Sequence, residues 1–262
     1  MPKISAHMVI KNEEHWVWYA IMSVIDYVDE ILIIDMESTD KTLEIIKSIH
    51  SPKIKMFKDL GNVVANRNFL LTQNKFKWIL ILDGDEVWTE EGIKELMSNL
   101  KNYFVYLVSP FKNLLGDVYH YQNESAGKYE IHGRKGHLTI RAINISQIAG
   151  LHVVGIYPLE GYSDKDNTLI QNNSKYRFNL MKNIYLHTTH LNRSSKPIFK
   201  KFKYEWGHSF PDDFEYPKCF YLPKPEIVPS PWTKISWKYI LNAAWQTPLK
   251  LIKRRILDRF VA

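Results

Sequence analysis

The chain has 262 residues, 45% of them hydrophobic and 13% aromatic, which excludes a disordered segment and allows a sizeable core. Its formal charge of +7 favours anionic partners such as nucleotides or an anionic membrane surface. The single cysteine, Cys219, excludes an intrachain disulfide and fits a reducing, cytoplasmic setting.

The opening "MPKISAHMVIKNEEHW" does not read as a signal peptide, because its apolar run is short and Glu13 and Glu14 follow at once. No run of about 18 apolar residues predicts a spanning helix. Residues 3–10 read as a strand, and 13–25 as a helix with Trp16, Ala20 and Val24 on one face. A second strand is expected over 30–35. A helix follows over 42–49, with cap oxygens available from Ser38, Thr39 and Asp40. Strand 53–57, helix 62–73, strand 78–82 and helix 89–100 continue the alternation. Continuous apolar strands separated by helices predict an α/β fold with a doubly wound sheet covered on both faces.

After residue 101 the alternation stops. Strands are expected at 103–108, 117–121, 137–145 and 183–190, extending the same sheet. Residues 211–231 hold six of the twelve prolines and predict a rigid, irregular connection. The end is helical again, with a break expected near Pro248. The chain thus divides into residues 1–101, 102–210, 211–232 and 233–262.

In an open parallel sheet, ligands bind beyond the carboxyl ends of the strands. "IIDMESTD" places Asp35 there, and "ILDGDE" places Asp83 and Asp85 there, around a glycine that permits close backbone approach. Carboxylates this close repel unless a cation sits among them. Hard oxygen ligands suit Mg²⁺ or Mn²⁺, which commonly bridge a protein carboxylate to phosphates. An acid pair after a strand is also compatible with a plain solvated turn.

Four motifs occur in order: "MVIKNEE", "VDEILIIDMESTDKT", "NVVANRNFLL" and "WILILDGDEVWTEEG". Together they resemble glycosyltransferase family 2, inverting enzymes of the GT-A fold. The nearest likeness is to the branch that builds lipopolysaccharide cores and other surface glycans. The resemblance implies that residues 1–101 bind a nucleotide-sugar donor, a UDP-sugar first. Residues 102–210 then form the acceptor side of the same domain. It implies that Asn12 and Glu13 border the nucleotide, Asp35 faces the base and Arg67 lies near the nucleotide. Asp83 would face the ribose, and Asp85 would bind a divalent metal, Mn²⁺ or Mg²⁺. From the residues alone, Glu13 and Glu14 equally suit a helix N-terminus, Arg67 an ordinary ion pair, Asp40 a helix cap and Glu86 a cap of the turn or a solvated turn.

An inverting transfer needs a general base for the acceptor hydroxyl. Relatives often carry a His-Glu pair in the second half, but here Val153 follows His152, so Glu160 and His152 are the candidates. His152 beside two valines also reads as a core residue. In "IYLHTTHLNRSS", the resemblance favours His190 over His187 as a metal ligand, with His187 structural. Arg134, Lys135 and Arg141 suit either an anionic ligand or a solvated basic loop.

Residues 249–260 carry a net charge of +4 and place Leu249, Ile252, Ile256 and Phe260 at helical spacing, downstream of Trp232, Trp237 and Trp245. A basic amphipathic helix with tryptophans can lie on an anionic membrane or pack on the domain. The expected partners are a nucleotide-sugar donor and a glycan or lipid-linked acceptor, with no nucleic acid, at the inner face of a membrane. The rivals are a nucleotidyltransferase, which should carry a glycine-rich phosphate loop absent from "HMVIKNEEH", and an inactive membrane or nucleic-acid module.

Overall fold

The structure, a computed structural model, describes residues 2–191 and 204–261. The side chains of 255–261 lie outside that description, and so do the expected helix positions Arg255, Ile256, Asp258, Arg259 and Phe260.

The first half folds as its periodicity dictates. Strands β1 (Ile4–Ile10), β2 (Glu30–Asp35), β3 (Ile54–Phe57) and β4 (Trp78–Ile81) are joined by helices α1 (Val17–Met22), α2 (Thr42–Lys47) and α3 (Val63–Gln73). All pair in parallel, in the order β3-β2-β1-β4. Strand order reverses at β1, so a crevice opens between the carboxyl ends of β1 and β4. The apolar runs of β1, β2 and β4 are buried, as strands sandwiched between layers require. Trp16, Ala20 and Val24 are all in the core. Helix α1 is shorter than the apolar pattern predicts: residues 13–16 form a turn, with Trp16 N–H donating to Glu13 O at 3.0 Å.

The second half completes the sheet by an inserted strand. Strand β5 (Glu86–Trp88) precedes helix α4 (Glu90–Ser98), whose Thr89 hydroxyl accepts from Gly92 N–H at 3.1 Å, a cap the sequence foreshadows. Strand β6 (Tyr106–Asn113) follows. The strand Leu138–Asn144 then lies antiparallel between β4 and β6. Strands Phe178–Leu180 and Tyr185–His187 pair with the far edge of β6, giving nine strands among the described residues.

Strand β6 runs on through Pro110, beyond the end expected at residue 108. The reason is local. Phe111 N–H donates to His137 O, so the adjacent proline's missing donor faces the opposite edge. There one parallel partner stops opposite Val108 and the next begins opposite Phe111.

The proline-rich connection is irregular and built of short turns, one of them the helical turn at Lys218–Phe220. It packs on α1: Phe220 meets Tyr19 edge-on at 5.4 Å, and Tyr19 hydroxyl donates to Pro229 O at 2.7 Å. Helix α5 (Trp237–Val261) is continuous through Pro248, so the expected break is absent. Pro248 is on the exposed side of the helix, where water can serve the carbonyl its missing N–H leaves unpaired.

His7 lies in the middle of β1, fully enclosed. Burial lowers its pKa to about 4, against the raising influence of Asn74 and Glu30, with Arg67 adding to the fall. Folded His7 therefore stays neutral while the unfolded chain takes up a proton below about 6.5. Stability contributed by this site is complete above pH 6.5 and should fall by about 3 kcal/mol as pH drops towards 4. Urea unfolding of wild type and His7→Gln at several pH values checks this: the difference between the two should shrink or reverse as the solution is acidified, and parallel curves would contradict it.

Candidate active site

The carboxylates of the "DGDE" turn meet two buried arginines. Arg67, on α3, donates through Nη2 to Asp83 Oδ1 at 3.0 Å and places Nε 3.6 Å from Glu160 Oε1. Arg141, from the inserted strand, donates through Nη1 to Asp83 Oδ2 at 3.3 Å and through Nη2 to Glu86 Oε1. Its Nε donates to Tyr185 hydroxyl at 3.0 Å, and the guanidinium lies over the Tyr185 ring at 5.2 Å. Asp83 therefore accepts from both arginines, one carried by α3 and one by the strand inserted beside β4.

The electrostatics follow from that geometry. Burial alone would raise Asp83, but Arg67 and Arg141 outweigh it and hold the carboxyl at about 2. Burial works against the charge of Arg67, yet Asp83 and Glu160 keep it firmly protonated. Glu86 is fully enclosed, and burial raises it to about 7 despite Arg141, with Asp83 adding to the rise. Of the two local readings of Glu86, the cap is met and the solvated turn is not: its Oε2 accepts from Asp83 N–H at 3.2 Å, and it anchors Arg141 inside the protein. Arg134 and Lys135 sit on an exposed hairpin, whereas Arg141, grouped with them by sequence, belongs to the interior.

Gly84 has a steric reason. A Cβ there would lie 2.8 Å from Glu13 Cγ and 3.1 Å from Ile10 Cγ2, so the acid turn can approach the end of β1 only without a side chain. Glu13 is buried against this turn, and its N–H donates to Thr42 hydroxyl at 2.7 Å. Asn12 adopts φ of 54° and bridges the neighbouring loop: its N–H donates to Ser38 Oγ, and its Oδ1 accepts from Thr39 N–H, both at 2.7 Å. Asp35 lies opposite Ile10 in the β1–β2 register and accepts from Ser38 N–H at 2.9 Å and Ser38 hydroxyl at 2.5 Å. Asp40 accepts from Thr42 N–H at 2.9 Å and Glu14 N–H at 3.2 Å, tying the two loops together. Asn12, Glu13, Asp35, Asp83 and Asp85 thus share one rim of the sheet.

Asp85 is buried, with Oδ2 3.4 Å from His187 Nε2. His187 Nδ1 is 2.9 Å from Asn113 Oδ1, which fixes the ring and turns Nε2 towards Asp85. Burial lowers the basicity of His187, but Asp85 outweighs it and raises the pKa. The resemblance favours His190 as the ligand and treats His187 as structural; His187 also lies beside Asp85. His190 is buried in the next turn, closed by Leu191 N–H on Thr188 O at 2.8 Å. The pairing of β5 with Tyr185–His187 sets the distance, placing His187 opposite Glu86, a register invisible in the sequence.

A carboxylate plus an imidazole with its orientation fixed is a donor set that fits Mn²⁺. Among the described residues, no three carboxylate, imidazole or thiol groups converge to hold an ion unaided.

Of the two candidate bases, Glu160 reaches this cluster. Among the described residues, its buried Oε2 has no hydrogen-bond partner, and neither has Nη1 of Arg67. His152 instead turns Nδ1 to Gly150 O at 2.8 Å and Nε2 to Asn167 Oδ1 at 2.9 Å. Tyr157 also faces the acids, since Asp83, Asp85 and Glu160 add to burial in raising its pKa.

Comparison with known proteins gives concordant likenesses. The family model described as Glycosyl transferase family 2 matches residues 5–201. An uncharacterized glycosyltransferase of Rickettsia bellii is 39% identical over 102 residues, covering 39% of this chain and 33% of that protein. Its counterpart in Rickettsia felis is 36% identical over 104 residues, covering 40% and 35%. The chain thus spans about a third of the length of these relatives. The crystal structure of S. aureus TarS 1–349 superposes with a TM-score of 0.50 at 17% identity, over 71% of this chain and 60% of that one, a likeness of fold.

Removing Arg141 should leave Asp83 and Glu86 without a shared cation. Arg141→Met is expected to cost about 3 kcal/mol of stability. Glu86, freed of its arginine, can escape only by protonation, so the cost should be smaller at pH 5 than at pH 8. Denaturant titration of the variant at both pH values measures it, and an equal cost at the two would contradict the account.

Proposed function

From the premise that this chain belongs to glycosyltransferase family 2, we propose that it is a metal-dependent inverting enzyme of the GT-A fold. It moves a sugar from a nucleotide-sugar donor, a UDP-sugar first, to a hydroxyl of a glycan or lipid-linked acceptor at the cytoplasmic face of a membrane. The observation that carries this reading is the rim at the β1–β4 crevice, where Asp83, Asp85, Arg67 and Glu160 gather with buried hydrogen-bonding atoms still unfilled on Arg67 and Glu160. Leaving such atoms unpaired costs free energy, which a polar ligand would recover.

Each residue then has a task. Asn12, Glu13 and Asp35 shape the wall beside the nucleoside. Asp83, kept ionised by two arginines, accepts from ribose hydroxyls. Arg67 Nη1 donates to the same ligand. Asp85 and His187, with His190 in the adjoining turn, would hold the divalent ion. The ion, when bound, neutralises charge on the departing nucleoside diphosphate. Glu160 takes the acceptor proton through Oε2, so the hydroxyl can attack the anomeric carbon from the face opposite the leaving group. In this reading His152 positions its loop and does not touch the reacting atoms.

Binding should precede chemistry in the tests. A UDP-sugar with Mn²⁺ should raise the melting temperature of the wild type, and Asp85→Ala should lose that shift while melting normally alone. An Asp85→Ala protein that binds and transfers like wild type would rule out its metal role. For the base, Glu160→Gln should lower kcat at least 100-fold with donor affinity little changed. A loss confined to KM would make Glu160 a donor contact instead.

A further inference from the structure

Helix α5 is attached to the domain by the face opposite to its most apolar one. At about 3.6 residues per turn, Tyr239, Ala243, Thr247, Lys250 and Arg254 share one side. That side packs: Tyr239 hydroxyl donates to Glu205 O at 2.9 Å, and Thr247 hydroxyl accepts from Trp206 N–H at 2.8 Å. Lys250 donates to Tyr204 O at 2.9 Å, and Arg254 makes a two-pronged pair with Glu205 at 2.6 and 2.8 Å. Gly116 completes the seat, since a Cβ there would lie 2.9 Å from Tyr239 Cε1.

The other side carries Trp237, Leu241, Trp245 and Ile252. They are 66%, 59%, 59% and 55% exposed, against 0% for Ala243. A helix that docked for burial alone would turn these groups inward. Lys238 and Lys253 flank the exposed stripe on one side, and both are open to solvent.

We infer that this outward face of α5 docks the protein on an anionic lipid surface, with Trp237, Leu241, Trp245 and Ile252 entering the interface and the flanking lysines meeting headgroup phosphates. Tryptophan and leucine on one face with basic residues at its edge match the two solvents met at that boundary. A second copy of this chain is a poorer occupant, because pairing the two stripes would bring the lysines that edge one of them, Lys238 and Lys253, up to those of the other. The polar anchoring of α5 to Glu205 is consistent with the same role, since it holds the helix flat while leaving the apolar stripe free. The inference refines the proposed membrane-side function but rests on the helix alone, so binding is measured without donor or acceptor.

The full chain should be sedimented with vesicles of phosphatidylcholine containing one quarter phosphatidylglycerol, and with pure phosphatidylcholine. Binding is expected to the anionic vesicles, with a blue shift of tryptophan emission, and at least tenfold weaker binding to the neutral ones. Leu241→Asp/Trp245→Ser should reduce anionic binding at least tenfold with an unchanged melting temperature. Lys238→Glu/Lys253→Glu should remove most of its salt dependence. Equal binding by the stripe variant, no binding by wild type, or a concentration-dependent dimer that the same variant abolishes would each overturn the inference. None of these outcomes would bear on glycosyl transfer to a soluble acceptor, which tests the catalytic proposal separately.

Discussion

The site depends on two guanidinium groups brought to one carboxylate from two separate elements of the fold. Asp83 stays ionised beside buried Asp85 and Glu86 because Arg67 and Arg141 both donate to it. Without them the turn would be a cluster of like charges in a place water reaches poorly, and the acids would protonate or move apart. The arginines come from unrelated elements, α3 and the inserted antiparallel strand. Their convergence therefore ties the parallel half of the sheet to the rest.

A second constraint is steric. Gly84 lets the acid turn press against Glu13, and Glu13 is held through its N–H by Thr42, which in turn bonds to Asp40. The loops after β1, β2 and β4 are thereby linked by short hydrogen bonds and one missing side chain. Such coupling limits independent motion of three walls of the crevice and keeps its polar groups preorganised.

The parallel half was legible because its signals are local. Apolar runs end in acids, and caps such as Asn62 and Thr89 stand where their helices begin. What could not be read was pairing. Arg141 falls inside an expected strand and Arg134 and Lys135 before it, but a strand position does not reveal burial, which follows from the insertion of that strand between β4 and β6. His187 gains its place beside Asp85 from a register with β5, which the family resemblance, pointing to His190, does not convey. Pro248 misled because a single missing N–H on a solvent-facing turn of a long helix can be tolerated.

The inserted strand has a consequence for how the molecule comes into being. Strand Leu138–Asn144 must find β4, some sixty residues earlier, before Arg141 can reach Asp83. Closing so large a loop is entropically slow, so topology of this kind places the event late in the conformational search. A nascent chain that has finished only its first hundred residues exposes an unpaired edge on β4 and an acid turn lacking one of its two counter-ions. Competence for ligand is thus withheld until most of the polypeptide has been made, and the unguarded edge is the interval in which chaperone capture or misassociation matters most.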